Sequence, residues 1–294
     1  MDEDTPSFKG LLIQYQNVCN WLEELGFNYR NSRYGRYLET FEELALNSLG
    51  QISIPKEKRA KFDNAYVEIC RITAVHEFFK ERDEKEFITQ LKEVISGRDI
   101  RGESEEDKSR SFFFELWVAH FFIKSGYEVK LSTDPLNEPD ILVTLEKNKK
   151  LAVECKCLYS ENKIKKNIRE GNKQILKREK FYGEKGIKIR GLIALDITNL
   201  LPSGIVFNRS VSVGVVRGQH KKILEEYVEA HENDFVAGQV ATSYGVMCES
   251  GFLIKMTKEG NINYGFQTCH EFIHYANHGF HFGFLIGLAK KFDV

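Results

Sequence analysis

Apolar and polar residues follow two different periods along this chain. Up to about residue 95, apolar positions recur at three- and four-residue spacing; from residue 127 onward, short runs alternate in twos and are separated by Gly, Pro or charged turns. Leu11, Leu12, Tyr15, Val18, Cys19, Leu22 and Leu25 trace one face of a first helix, which Gly26 ends. The same spacing predicts helices over residues 37–49, 58–80 and 84–95, with Pro55 between the first two of these. Residues 109–125 are apolar nearly all round, as in a helix packed on several sides. Strands are expected at 127–131, 141–145, 151–157, 191–197, 211–216 and 251–256, the last leading into a turn at Glu259-Gly260-Asn261. Long helical stretches at 161–190 and 220–231 fall between them.

From residue 109 the expected order is α-β-β-β-α-β with additions, which reads as an α/β fold around a mixed sheet. A helical region over residues 1–100 precedes it, and the charged, Gly-containing stretch 96–108 reads as the linker to a second unit spanning 101–294. With 294 residues, 42% of them hydrophobic, there is material for one large domain or two ordinary ones. No apolar run approaches the roughly 20 residues that span a bilayer, so a soluble protein is expected, and six scattered cysteines without a CxxC pair read as reduced thiols in a cytoplasmic setting.

Charge separates the two parts. Residues 1–110 carry 17 Lys+Arg against 22 Asp+Glu, whereas 111–294 carry 25 against 21, although the whole chain sums to −1. The protein is no polycation, so a nucleic-acid surface must be local. The stretch 161–190 supplies one, with eleven basic residues against four acids. There Lys163, Lys166, Arg169, Lys173 and Lys177 are candidates to neutralise phosphates. Arg30, Arg33 and Arg36 form a smaller basic group that reads as a solvated loop.

Chemistry concentrates at 138–157. Two strand-forming runs flank the polar turn 146–150, so the segment reads as a β-hairpin. Alternation puts Glu154 and Lys156 on one face and Val153, Cys155 and Cys157 on the other, while natural pairing brings Asp140 near Glu154. Two carboxylates held together repel unless a cation intervenes. A hard divalent ion with oxygen ligands, Mg²⁺ or Mn²⁺, meets that need, and Lys156 would hold the attacking water and help to deprotonate it.

Pro139-Asp140 followed by Glu154-Cys155-Lys156 resembles the signature of the PD-(D/E)xK nuclease superfamily, which includes many restriction endonucleases and junction resolvases. The likeness covers about residues 109–200. It implies a restriction-endonuclease-like core and a metal-dependent nuclease, acting on DNA, with a place in a restriction or defence system. Asp140, Glu154 and the Cys155 carbonyl would ligate the metal, and Lys156 would serve the water. Glu115, the only acid between Asp107 and Glu128, takes the place of the superfamily's helix glutamate. Gln174 falls where some members place an active-site glutamine. Members that cut both strands often dimerise, so the resemblance admits a homodimer, although no interface motif is legible. A catalytically inactive nucleic-acid-binding module is the alternative, and the presence of Glu115, Asp140, Glu154 and Lys156 together speaks against it.

His270-Glu271-Phe272-Ile273-His274 is a literal HExxH, the helical zinc pair of metallopeptidases, followed by His278 and His281. The positions where one zinc-peptidase pattern needs Gly and a third His hold Asn277 and Phe280, and half of the eight histidines fall here, which makes a chance match easier. The six cysteines include no CxxC pair, and Cys155 and Cys157 read as small core residues rather than thiolate ligands.

Overall fold

The strongest alternation in the chain becomes the start of a seven-stranded sheet. In the computed structural model, which describes residues 8–47, 58–82, 84–98, 108–202, 204–207, 212–258, 261–275 and 282–292, five helices come first. They are α1 (Phe8–Glu24), α2 (Arg33–Asn47), α3 (Arg59–Phe79), α4 (Lys85–Ile95) and α5 (Lys108–Lys124). Strands β1 (Glu128–Leu131), β2 (Ile141–Glu146) and β3 (Lys149–Cys157) then form an antiparallel meander. Helix α6 (Ile164–Gly183) crosses over to β4 (Lys188–Asp196), which runs parallel to β3.

The chain continues through β5 (Gly204–Phe207), α7 (Val213–Ala230), α8 (Glu232–Phe235), β6 (Ser243–Lys258), β7 (Asn261–His274) and α9 (Phe282–Phe292). One edge of β6 takes β4 and then β5, both in parallel, and the other edge pairs antiparallel with β7. The expected order α-β-β-β-α-β holds from α5 to β4.

Several expectations change. The 211–216 segment is helical from Val213, because Ser212 caps α7 by accepting from the Val215 N–H at 3.4 Å. The basic stretch ends as a helix at Gly183, and Lys188 and Arg190 belong to β4. The late strand at 251–256 is part of a much longer one, β6, whose partner β7 takes the residues expected to be helical at the HExxH. Most of the 96–108 linker and the 259–260 turn lie outside the described residues.

The sheet is covered on both faces. On one, Val153, Cys155, Leu192, Ala194 and Met247 join a single apolar cluster that also takes in residues of α1 to α5 and α9. On the other, Ile193, Leu195, Val246 and Cys248 pack with α6, α7 and α8. Helix α6 sits very close to β4: a Cβ at Gly191 would lie 2.4 Å from Ile175 Cγ2, and one at Gly171 2.9 Å from Ile193 Cδ1. That approach fixes the height of α6 over β3 and β4.

The first cluster also contains a network of buried charges. Arg71 on α3 reaches Glu249 (2.8 Å) and Asp196 (3.5 Å), which are neighbours across β6 and β4. The Trp117 indole N–H donates to the same Glu249 oxygen at 2.7 Å. Glu68 stands between Arg33 (3.6 Å) and Arg110. Arg33 is therefore fully buried rather than part of a solvated basic loop.

Candidate active site

Hairpin pairing places the two motif carboxylates. Ile141 lies opposite Val153 in the β2/β3 register, so Asp140, one residue before β2, stands across from Glu154. The Asp140 carboxylate accepts a hydrogen bond from the Cys155 N–H at 2.7 Å through Oδ2, and the Lys156 ammonium lies 3.9 Å from the same oxygen. Glu154 and Lys156 pair with Ile193 and Leu195 of β4, so both face α6. Glu154 is fully buried, while the Asp140 and Lys156 side chains keep 23% and 17% of their exposure. The group is closed at one end and open at the other.

Electrostatics follow from that burial. Glu154 is pushed up to about 7, first by loss of water and then by Asp140, against the pull of Lys156 and Arg178. Burial works against the charge of Lys156, but Asp140 and Glu154 outweigh it and hold the ammonium above its ordinary range. Burial also pushes the Cys155 thiol up, which removes it as a thiolate ligand and leaves its side chain as core.

Glu154 Oε1 accepts from Arg178 Nε at 3.0 Å, while Oε2 is buried with no hydrogen-bond partner. Arg178 is thus not part of the basic surface: it is 2% exposed and bridges α6 to β3. Its phase gives it away, since Ile164, Ile168, Gly171, Ile175, Arg178 and Tyr182 form the buried stripe of α6. A cation on an apolar stripe predicts a buried partner.

Other predicted site residues are distributed as follows. Glu115 is buried on α5, against the Cys155 face of β3, and its Oε2 accepts from Gln90 at 2.9 Å. Burial raises its carboxyl well above the ordinary range, with Asp140 the next contributor. Glu115 therefore feels the hairpin charges, but among the described residues no three His, Cys, Asp or Glu side chains converge closely enough to hold a metal by themselves. Lys166, Arg169, Lys173 and Lys177 are exposed on α6, and Lys163 is exposed at its N-cap. Gln174 is half-buried, its Oε1 without a partner, one turn before Arg178.

The HExxH lies on a strand. Helical geometry would set His270 and His274 roughly 6 Å apart along the axis, whereas strand geometry spreads them over roughly 13 Å and turns Glu271 to the opposite face. Glu271 is paired with Lys221 at 2.5 Å, and His270 is buried edge-on to Phe121. The zincin arrangement expected of this motif is absent, and His278 and His281 lie outside the described residues.

Two carboxylates with one unpartnered buried oxygen, and the Cys155 carbonyl on the same strand, make an oxygen donor set suited to a hard cation. Mg²⁺ characteristically takes one or two carboxylates and completes its shell with water and substrate phosphate. Comparison of the sequence with models of known protein families gave no match, and comparison with curated protein sequences gave none either.

Proposed function

We propose that this protein is a metal-dependent nuclease of the PD-(D/E)xK type that hydrolyses phosphodiester bonds in DNA. The observation that carries this reading is the juxtaposition of Asp140 and Glu154 across β2 and β3, with Lys156 facing Asp140 and one Glu154 oxygen left without a partner. Asp140, Glu154 and the Cys155 carbonyl would hold Mg²⁺ or Mn²⁺, with Glu115 acting on it through water. When bound, the ion supplies Lewis-acid charge to the phosphate and to the departing 3′ oxygen.

The protein's own groups account for the rest. Lys156 donates to the attacking water and favours its hydroxide form by proximity of charge. Arg178 holds one oxygen of the Glu154 carboxylate and leaves the second without a partner. The exposed lysines of α6 follow directly in the chain and receive the phosphate backbone without reading sequence. A restriction-endonuclease-like core, a homodimer and a role in a restriction or defence system remain parts of the same proposal.

The test is cleavage of supercoiled plasmid and of short single- and double-stranded DNA with Mg²⁺, Mn²⁺ or EDTA, comparing wild type with Asp140→Ala. Metal-dependent cutting that vanishes in the variant is expected. A wild-type protein that shifts DNA but leaves it intact would instead make this an inactive binding module of the same fold.

A further inference from the structure

Leu136 is the most exposed large apolar side chain among the described residues, at 72%. Single exposed leucines are ordinary. What sets this one apart is the scaffolding beneath it. The loop between β1 and β2 is cross-braced by its own carboxylates. Glu138 Oε2 accepts from the Thr133 N–H (2.8 Å), the Thr133 hydroxyl (2.7 Å) and the Asp134 N–H (3.3 Å). Asp134 accepts from the Leu136 N–H (3.1 Å) and from the Asn137 amide (2.7 Å).

The loop is also latched to the candidate site. Arg178 donates through Nη1 to the Leu136 carbonyl (2.7 Å), through Nη2 to the Pro135 carbonyl (3.2 Å) and through Nε to Glu154 (3.0 Å). One rigid guanidinium therefore joins the backbone beneath the exposed leucine to the buried carboxylate. Leu136 also stands four residues ahead of Asp140, so the same loop ends at the other carboxylate. An apolar side chain carried on backbone held this firmly, beside a helix whose outer face is basic, is placed to meet the apolar part of a nucleic acid, which is its base stack.

We infer that Leu136 is a wedge that enters a base step of duplex DNA beside the scissile phosphate, and that Arg178 is the positioning residue that ties the wedge to Glu154. This inference rests on the nuclease reading. Insertion requires a step to unstack, which is easiest at a flexible pyrimidine–purine step or a mismatch. The DNA substrate is accordingly a duplex that opens locally at the cut, not a smooth rod read only through its phosphates.

The test compares wild type, Leu136→Ala and Arg178→Lys on a paired duplex and on the same duplex with a mismatch at the cut site. Leu136→Ala is expected to slow cutting of the paired duplex about tenfold and of the mismatched one less than twofold, because the mismatch supplies the opening that the wedge otherwise makes. Arg178→Lys is expected to slow both, with DNA affinity within twofold of wild type. In a Lys156→Ala background that leaves DNA uncut, 2-aminopurine at the step should brighten on binding, and not when Leu136→Ala is added. Equal rates for wild type and Leu136→Ala, or an equal loss on both duplexes, would overturn the wedge; Arg178→Lys at wild-type rate would overturn the latch. A wild-type protein that cuts nothing would remove the nuclease reading itself, and this inference with it.

Discussion

Two places in this protein set carboxylates side by side on neighbouring strands, and they are treated oppositely. At Asp196 and Glu249 the pair is sealed inside the first apolar cluster, 1% and 0% exposed, with Arg71 on both acids and the Trp117 indole on Glu249. Among the described residues, Glu68, Arg33 and Arg110 extend this network. At Asp140 and Glu154 the environment is half-open, with Lys156 beside Asp140 and Arg178 on one Glu154 oxygen, while the other Glu154 oxygen has no partner. One neighbourhood is sealed and shares one cation between its acids, whereas the other reaches solvent with a carboxylate oxygen that has no partner. A sealed pair bridged by a cation is structural; a half-open pair with an unpartnered oxygen is a place where something positive belongs.

That contrast can be broken by mutation. The largest effect expected is on the open pair: Lys156→Ala should abolish cutting, by about a thousandfold or more, while a gel-shift assay still finds DNA bound and thermal unfolding changes by only about 1 kcal/mol. If the variant cuts at the wild-type rate, Lys156 has no part in the chemistry. Arg71→Met should do the reverse, leaving two acids buried without their cation and costing about 3–5 kcal/mol of stability. Chemical denaturation reads this directly, and a loss under about 1 kcal/mol would mean that the closed network is not held by charge.

Acid offers a subtler test. His120 lies against Trp117 and is driven down to about 3, chiefly by burial; His220, stacked on Phe252 and bonded to Ser250, is driven down to about 4 for the same reason. Both are neutral in the folded protein and gain a proton more readily when unfolded, near pH 6.5. The unfolded state thus binds more protons below that pH, so stability is full above it and is lost as pH falls toward 4. Glu154, raised to about 7, works in the opposite sense, so the histidine contribution is read as a difference: between pH 7 and pH 4 the denaturation midpoint of His220→Gln should fall less than that of the wild type.

The smallest effect expected is at the surface. Reversing the charges of Lys173 and Lys177 should weaken DNA binding and lower the slope of log affinity against log salt by about 2, without altering the unfolding midpoint. An unchanged slope would reduce the outer face of α6 to a solvated one.

Much of this was readable from the residues, and the failures have physical causes. The hairpin was legible because a period of two is unambiguous across Ile141 to Cys157, and it carried Asp140, Glu154 and Lys156 to one place. Arg33 and Arg178 escape a count of charge, because both fall among buried positions that only helical phase reveals. The segment after residue 211 was misjudged because its valines favour strand, whereas the Ser212 cap and packing against β7 decide for helix. The HExxH looked helical because the spacing of two histidines outweighed the long partner strand that β6 offers. Glu115 was placed on the correct helix, but its bond to Gln90 of α4 joins elements too far apart in sequence for local spacing to reveal.

Arg71 has a consequence for how this chain can be divided. It belongs to α3, within the acidic helical stretch that precedes the hairpin by composition, yet its only acid partners within salt-bridge distance among the described residues are on β4 and β6. The helices it travels with share one uninterrupted apolar interior with the sheet. An excised fragment starting near residue 100 would therefore not be a self-contained unit. It would be a protein with its keystone withdrawn, exposing an oily face and stranding two acids. Helices α1 to α4 are a wall of the building.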